Sequence, residues 1–387
     1  MSGATGEIRS TCPYCGVGCG IVASQTDGRW QVRGDPDHPA NFGRLCSKGA
    51  ALAETLIDEG RLLTPVIDGR PAGWDEALDR IADRFARTIA EYGPDSVAFY
   101  VSGQCLTEDY YVANKLMKGF IGSGNIDTNS RLCMASSVAG HVRAFGGDVV
   151  PGNYEDLEQA DLVVLVGSNL AWCHPVLFQR LTAARAARGT KVVVIDPRRT
   201  ASCEIADLHL ALAPGSDVAL FQGLLVHLAD AGMLASGWVA DHATGLEAAL
   251  VAAARDAGEI DGVARLTGLA SEQIAAFYEL VARTERTVTV YSQGVNQSSA
   301  GTDKVNAILN FHLATARIGR PGMGPFSVTG QPNAMGGREV GGLANQLAAH
   351  MGFGDPHASD RVGRFWGSDN VATRPGLKAV ELFDAVA

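Results

Sequence analysis

An α/β chain, in which a doubly wound parallel sheet follows a small cysteine-bearing domain, is the fold class this sequence predicts. Three observations carry that expectation. Four of the eight cysteines, Cys12, Cys15, Cys19 and Cys46, gather near the amino terminus among glycines. Short continuous apolar runs, 161–166 and 191–195, alternate with stretches of helical length, the rhythm of a sheet buried on both faces with crossover helices. The chain also holds 46 glycines in 387 residues, well above the usual share of roughly 7%. They form no repeat, so they are expected at tight turns and where backbone approaches a ligand closely.

The cysteine array reads Cys12-Pro-Tyr-Cys15-Gly-Val-Gly-Cys19, followed by Leu45-Cys46-Ser-Lys48-Gly49. Three closely spaced thiolates with a fourth from farther along is how a chain supplies sulfur ligands to a 4Fe-4S cube. Gly16, Gly18 and Gly20 let the loop turn so that successive side chains converge. Structural zinc is the rival, but it is usually bound by two close pairs. A disulfide framework suits small secreted chains rather than one of this size. Lys48, two residues past the last cysteine, fits a charge relay as well as a solvated surface lysine.

After the array, the helix Trp74–Tyr92 is expected to align Trp74, Leu78, Ile81, Phe85 and Ile89 on one face, with Gly93-Pro94 stopping it. Residues 96–101 read as a strand. Ser102-Gly103-Gln104 leads into a helix over 107–120, opened by Thr107, Glu108 and Asp109. A polar loop over 122–131 then delivers Cys133 to the start of a helix at 134–145. The run 161–166 ends in Gly167-Ser168-Asn169, and a helix starts near Pro175 and ends by Gly189. The strand Lys191–Ile195 finishes on Asp196-Pro197-Arg198-Arg199, and a strand over 208–212 is followed by Pro214-Gly215-Ser216-Asp217 and another helix.

In such sheets ligands lie beyond the carboxyl ends of the strands, so the loops at 167, 196 and 215 are expected to gather around one molecule. The bland alternative is a packed core whose loops hold nothing. Asp196 lies farther past Gly167 than the roughly 20 residues typical of a ribose-gripping acid. No Gly-x-Gly-x-x-Gly and no Walker loop is present, which argues against a nicotinamide or nucleoside-triphosphate enzyme. Helices over Ser271–Arg283 and 302–318 flank a strand, Thr287–Tyr291, that ends in Gln293-Gly294-Val-Asn296-Gln297. A glycine-rich stretch follows, from Gly319 through Gly330-Gln331-Pro332-Asn333 to Arg338-Glu339, and is expected to line a cofactor or substrate channel. A short helix over 377–386 closes the chain, and its end reads as an interruption.

Length alone suggests two or three domains. With 19% charged and 46% hydrophobic residues the composition is ordinary for a globular protein. A formal charge of −10, without clustered Lys and Arg, argues against nucleic acid as a partner; a small anion can still be held by one or two buried arginines. No run reaches membrane-spanning length, and no basic-then-apolar or twin-arginine leader precedes Cys12. The expectation is a cytoplasmic protein with no membrane contact. Cys105, Cys173 and Cys203 show no ligand spacing and are expected to be buried apolar residues. The histidines, His38 and His141 among them, form no cluster, and only His174 lies beside a predicted ligand loop.

The four cysteines, the segment Asn129-Ser-Arg-Leu-Cys133-Met134, the strand end Val166-Gly-Ser-Asn-Leu-Ala and Gly330-Gln-Pro-Asn-Ala-Met-Gly-Gly-Arg-Glu together resemble the oxidoreductases that carry molybdenum on two molybdopterin guanine dinucleotides. The likeness covers essentially the whole chain. Within that family it is to the catalytic subunits of cytoplasmic assimilatory nitrate reductases. It implies a multi-domain molybdopterin-oxidoreductase fold: a cluster domain over 1–60, an α/β domain from 61–150 plus about 290–387 at the molybdenum site, and a dinucleotide-binding α/β domain over 151–289. The family's carboxyl-terminal β-barrel-type domain, which clasps both pterins, is expected to be missing.

Carried over residue by residue, the resemblance implies that Cys12, Cys15, Cys19 and Cys46 hold a 4Fe-4S cluster, with Lys48 between it and one pterin. Cys133 would be the thiolate ligand of molybdenum, with Met134 beside it at the catalytic centre. Gln104 and Asn129 match pterin contacts. Gly167, Ser168, Asn169, Asp196, Pro197, Arg198, Thr200, Gly215, Ser216 and Asp217 match the loops that hold a guanosine diphosphate arm. Gln293, Gln297, Gly330 and Gln331 fall near the cofactor, Gln293 standing where related reductases place a Met. The implied reaction is reduction of nitrate to nitrite by oxygen-atom transfer, with electrons from an NADH-dependent flavoprotein subunit, ferredoxin or flavodoxin. Arg338 is the candidate for steering the anion, because a guanidinium offers forked donors to planar oxyanions; a salt bridge to Glu339 is the alternative role. Formate dehydrogenases share the scaffold, but there the metal-binding residue is followed by His rather than Met134. A fragment that binds only the cluster is the non-enzymatic alternative.

Overall fold

The structure, a computed structural model, describes residues 5–386. They fall into two compact units: one contains the residues up to 14, 18–132 and those from 331 on, and the other contains 133–330 together with Cys15–Val17.

The first unit opens with an antiparallel meander of β1 (Thr5–Thr11), β2 (Gly20–Thr26) and β3 (Arg29–Gly34). The β2–β3 turn is Asp27-Gly28, both at positive φ, the pair that a two-residue hairpin turn favours because its twist matches that of the strands. A small hairpin of β4 (Val66–Ile67) and β5 (Arg70–Pro71) precedes the helix Trp74–Tyr92. That helix has the predicted bounds, but its apolar face is only partly covered. Phe85 and Ile89 pack on Val97, Met117 and Ile126, while Trp74, Leu78 and Ile81 remain exposed.

Three expectations in this unit need correction. The strand predicted from 96 is β6 (Phe99–Val101) alone, because Pro94–Ser96 closes a separate 3-10 turn. The loop predicted over 122–131 contains β7 (Ile126–Thr128), parallel to β6, and the helix carrying Cys133 begins at Ser130 rather than 134. The helix predicted over 107–120 is α-helical only over Thr107–Asn114, then widens to a π-helix over Lys115–Ile121. The widened turns carry Lys118 inward, where its ammonium donates to the carbonyls of Gly341, Leu343 and Gln346 at 2.6, 2.8 and 2.6 Å. Cationic donors are satisfied there by backbone acceptors, as burial demands.

The second unit is built on five parallel strands in the order β10-β9-β8-β11-β12. These are β8 (Leu162–Val166), β9 (Lys191–Ile195), β10 (Leu208–Leu210), β11 (Thr287–Tyr291) and β12 (Gly324–Ser327). Every residue of β8 and β11 is buried, as a sheet covered on both faces requires. Val164, Leu220, Phe277 and Ile308 belong to the main core, which joins the sheet to its crossover helices. The β10 strand is two residues shorter than the predicted 208–212. The strand β12 and the helix Ala334–Glu339 lie inside the glycine-rich stretch read as loop. High glycine content masked both, since glycine contributes no side-chain periodicity. The helix predicted over 302–318 spans Gly301–Ala314; Ala316 turns to positive φ and Arg317 folds back to donate to Val281 O at 2.9 Å. The closing helix spans Ala379–Val386.

Register sets the level of the strand ends. Val166 pairs with Ile195 and with Tyr291, Ile195 with Leu210, and Tyr291 with Ser327. All five strands therefore release their following loops at one edge of the sheet. Among the described residues no helix is long and apolar enough to cross a membrane.

Candidate functional site

From β8 the chain runs outward through β9 and β10, then returns to place β11 and β12 on the other side of β8. Such a reversal opens a crevice beyond the carboxyl ends of the two central strands. Gly167 follows β8 and Gly294 lies just past β11. The Gly294 N–H donates to Gly167 O at 3.0 Å, and a Cβ on Gly167 would stand 2.7 Å from Gly294 Cα. With Gly167 also at positive φ, only glycine fits this crossing.

The crevice has a volume of about 420 Å³, and its walls include Gly167, Asn169, Asp196, Pro197, Arg198, Gly215, Asp217, Gln293 and Gln297. The three loops expected to gather around one molecule do line one cavity. Asp196 is buried, and its Oδ1 accepts from the Arg198 N–H at 2.9 Å while His209 Nε2 meets its carbonyl at 2.9 Å, which sets the turn. Asn169 Oδ1 accepts from Ser202 Oγ at 3.1 Å. Ser168, Thr200 and Ser216 are not among the walls, but Ser168 Oγ and Thr200 Oγ1 are buried polar atoms with no hydrogen-bond partner.

Lys304, which sequence reasoning passed over, also walls the crevice. It is 3% exposed, and its Nζ lies 2.7 Å from Oδ2 of Asp217, itself 6% exposed. The signal was present: Lys304 interrupts the inward stripe of an apolar helix that continues through Val305, Ile308 and Phe311, and a buried lysine there requires a partner. Ser292, Gly294 and Ser298 are further wall residues that sequence reasoning did not select.

Cys133 lies in the first turn of the helix Ser130–Phe145 and is half-buried. Its Sγ accepts from Gln293 Nε2 at 2.9 Å. Met134, 2% exposed, accepts at Sδ from Asn296 Nδ2 at 3.1 Å. Ser136 Oγ donates to Asn296 O at 2.7 Å and Ser137 Oγ to Asn296 Oδ1 at 2.5 Å. One short turn, Gln293–Asn296, thus grips the helix at Cys133, Met134, Ser136 and Ser137. Gln293 Oε1 is buried with no partner.

In the same unit the segment around Cys15 is tied down at both ends of Gly16. The Gly16 N–H donates to Gly330 O at 3.1 Å, and Tyr154 Oη donates to Gly16 O at 3.1 Å and to Val17 O at 3.0 Å. A Cβ at Gly16 would lie 2.1 Å from Thr329 O. His174, buried, meets Thr329 O through Nε2 at 2.6 Å, which makes it a brace of this backbone.

In the first unit Cys12 and Cys19 are buried and Cys46 is half-buried, with the Cys12 N–H donating to Cys19 O at 2.8 Å. Burial pushes the Cys12 thiol up from its usual range, the neighbouring Cys46 adds to the rise, and a backbone hydrogen bond at Tyr14 and the charge of Lys48 oppose it. Lys48 is exposed, with Nζ 5.9 Å from the centre of the Tyr14 ring. Gln104 Nε2 donates to Pro13 O at 3.3 Å. Asn129 Oδ1 accepts from the Gly103 N–H at 3.0 Å, and a Cβ on Gly103 would meet Gln331 Oε1 at 2.3 Å. Gln104, Asn129 and Gln331 are therefore gathered around Ser102–Gln104 although they are far apart in sequence. Arg338 is buried, whereas Glu339 is exposed and stands 4.0 Å from His350.

All eight cysteines are thiols, none in a disulfide, so the disulfide framework falls away. Cys203 is buried as expected, Cys105 is half-buried, and Cys173 is exposed at the crevice rim, against expectation; the short helix Leu170–Cys173 ends there and turns it outward. Among the described residues no three His, Cys, Asp or Glu side chains converge on one metal-ion position. A single zinc needs its thiolates about 2.3 Å from one point, while each iron of a cube takes its own thiolate and the sulfurs stand farther apart. Buried thiols on a glycine-bearing loop, as those of Cys12 and Cys19 are, fit the cube. Partnerless Ser168, Thr200 and Gln293 atoms, with the bare Gly167–Gly294 crossing, fit a polar cofactor against the second unit's sheet edge.

The family model for the molybdopterin oxidoreductase Fe4S4 domain matches residues 6–57, and that for molybdopterin oxidoreductase matches 61–387. The chain is 59% identical over 382 residues to a nitrate reductase of Klebsiella oxytoca and 52% identical over 389 residues to one of Shewanella frigidimarina; each match covers 98% of this chain. A periplasmic nitrate reductase of Desulfovibrio desulfuricans is 39% identical over 405 residues, covering 98% of this chain and 52% of its own. The chain spans 43% and 41% of the length of the first two relatives. Among solved structures, acetylene hydratase from Pelobacter acetylenicus shares the fold at a TM-score of 0.72 and 23% identity, covering 80% of this chain and 43% of that one.

Proposed function

Because the chain belongs to the molybdopterin oxidoreductase family, with a molybdopterin cofactor and a 4Fe-4S cluster, we propose that the protein is a molybdenum-dependent, assimilatory nitrate reductase whose metal is carried on two molybdopterin guanine dinucleotides. The observation that carries this reading is the half-buried Cys133 thiol held by Gln293, a wall of the crevice. Identities of 59% and 52% to proteins named nitrate reductase support the substrate. The balanced reaction takes nitrate, two electrons and two protons to nitrite and water. When bound, the molybdenum centre would supply two-electron oxygen-atom-transfer chemistry and the cluster one-electron transfer.

The chain's own residues do the rest. Cys12, Cys15, Cys19 and Cys46 hold the cluster, and Lys48 lies on the way from it to one pterin. Gln104, Asn129 and Gln331 hold pterin. The crevice takes one guanosine diphosphate arm through the loops that begin at Gly167, Asp196 and Gly215. Cys133 suits a metal already bound by sulfur, since soft thiolate matches soft surroundings. Arg338 orients the anion through its forked donors.

Formate oxidation is the second reading on this scaffold. Met134 speaks against it: its buried thioether accepts from Asn296 and has no proton to exchange near neutral pH. We place the reaction in the cytoplasm. An NADH-dependent flavoprotein, ferredoxin or flavodoxin would supply electrons. The test is to purify the complete polypeptide without oxygen, quantify iron and molybdenum, and assay nitrate and formate side by side with a dye donor. Nitrate turnover is expected; formate turnover without it sinks the proposal. Cys133→Ala is expected to lose molybdenum and turnover while keeping its iron.

A further inference from the structure

We propose that Gln293 is a positioning residue for the molybdenum thiolate: its carboxamide N–H holds Cys133 Sγ in one orientation and draws electron density from it. The inference rests on the reading of Cys133 as the metal's protein ligand. The donor is Nε2, 2.9 Å from the sulfur. Its neighbour in the same turn, Asn296, treats Met134 in the same way at 3.1 Å, so two amides from one turn meet two successive sulfurs.

The Gln293 amide has little freedom to leave. Its turn starts directly after buried Tyr291 and Ser292, and Ser292 Oγ donates to Val328 O at 3.1 Å. A methyl group on Gly330 would stand 3.3 Å from Nε2, and Gly330 is itself fixed by the N–H of Gly16. The backbone next to Cys15 is thus hydrogen-bonded to Gly330, which packs beside the Gln293 amide that meets Cys133 Sγ. All of these residues belong to the second unit.

A hydrogen bond to a ligating sulfur lowers the charge it donates and raises the metal's reduction potential. For a centre refilled one electron at a time, a raised potential favours refilling. A side chain of the same length without an N–H keeps the volume and loses the effect.

The experiment uses the holoprotein, with Gln293→Met and Gln293→Leu as donorless variants, Asn296→Leu as a control on the same turn, and Cys133→Ala as a test of the premise. Molybdenum content, the Mo(V) electron paramagnetic resonance signal in water and in deuterium oxide, and the potentiometric midpoint are measured. The unaltered protein is expected to show an exchangeable proton coupled to the metal signal. Q293M should lose that coupling and shift the midpoint downward at unchanged molybdenum content; should Q293M not take up metal, Q293L reports the same two quantities. Asn296→Leu should retain the coupling. Unchanged coupling and midpoint in the donorless variants, or equal losses in Asn296→Leu, would overturn the proposal. Full molybdenum retention in Cys133→Ala would overturn the premise instead, and the two failures are read from different variants.

Discussion

Lys304 and Asp217 illustrate what a single pair of side chains contributes at the crevice. They are almost fully buried and 2.7 Å apart. Breaking such a pair leaves one charge without a partner and costs about 3–5 kcal/mol, whereas replacing both with apolar residues of similar size is often neutral. Lys304→Met is therefore expected to lower the urea midpoint strongly, and the double variant Lys304→Met, Asp217→Leu to recover most of it. A double variant as unstable as the single one would show that the pair is not the main term. The same reasoning separates Met134 from a proton carrier: a thioether holding one amide N–H orients its neighbour but titrates nothing.

Among the elements, one crossing depends on close backbone approach and one segment on a single buried side chain. The Gly167–Gly294 crossing leaves no room for a methyl group, so Gly294→Ala should cost about 1–3 kcal/mol by overpacking and weaken binding of guanosine diphosphate, measured by calorimetry. Binding as tight as in the unaltered chain would remove the crossing from the site. The Lys118 ammonium closes the segment 341–346 by donating to three carbonyls. Burial pulls its pKa down to about 7. Lys118→Met would orphan those carbonyls at about 1–3 kcal/mol each, and amide hydrogen exchange across 340–346 is expected to accelerate more than exchange in the sheet. The exposed half of Trp74–Tyr92 carries apolar side chains at helical spacing, so its period was readable in advance while its degree of cover was not.

For the whole molecule the clearest pH dependence comes from the buried imidazole of His312. Nδ1 faces Arg317 O at 3.0 Å and Nε2 faces Thr289 Oγ1 at 2.9 Å; the carbonyl needs a donor, so the ring is neutral with its proton on Nδ1. Burial lowers its pKa from 6.5 to about 3, against the hydrogen bond to Arg317 O. The unfolded chain takes up this proton below 6.5 and the folded one does not. His312 thus contributes fully above pH 6.5, and its contribution is lost as the pH falls from 6.5 towards 3. Urea midpoints should decline across that window, and the decline should be shallower in His312→Asn, whatever the variant's absolute stability. An unchanged slope would mean that other groups govern the acid limb.

Spacing and period by themselves determined the parallel α/β sheet, the four clustered cysteines, and Cys133 on a helix, because those signals are local: a ligand gap, an apolar run, a terminating glycine. The short β12 and the Ala334–Glu339 helix escaped notice because glycine carries no such signal. Which side chains meet was left to tertiary structure. Gln293 reaches Cys133 across 160 residues of chain and Lys118 reaches Gly341 across 223, distances over which sequence pattern is silent. Parallel register made the decisive pairing: by setting Val166 opposite Tyr291, it ends two distant strands at one level and brings Gly167 against Gly294, opening the crevice between their loops.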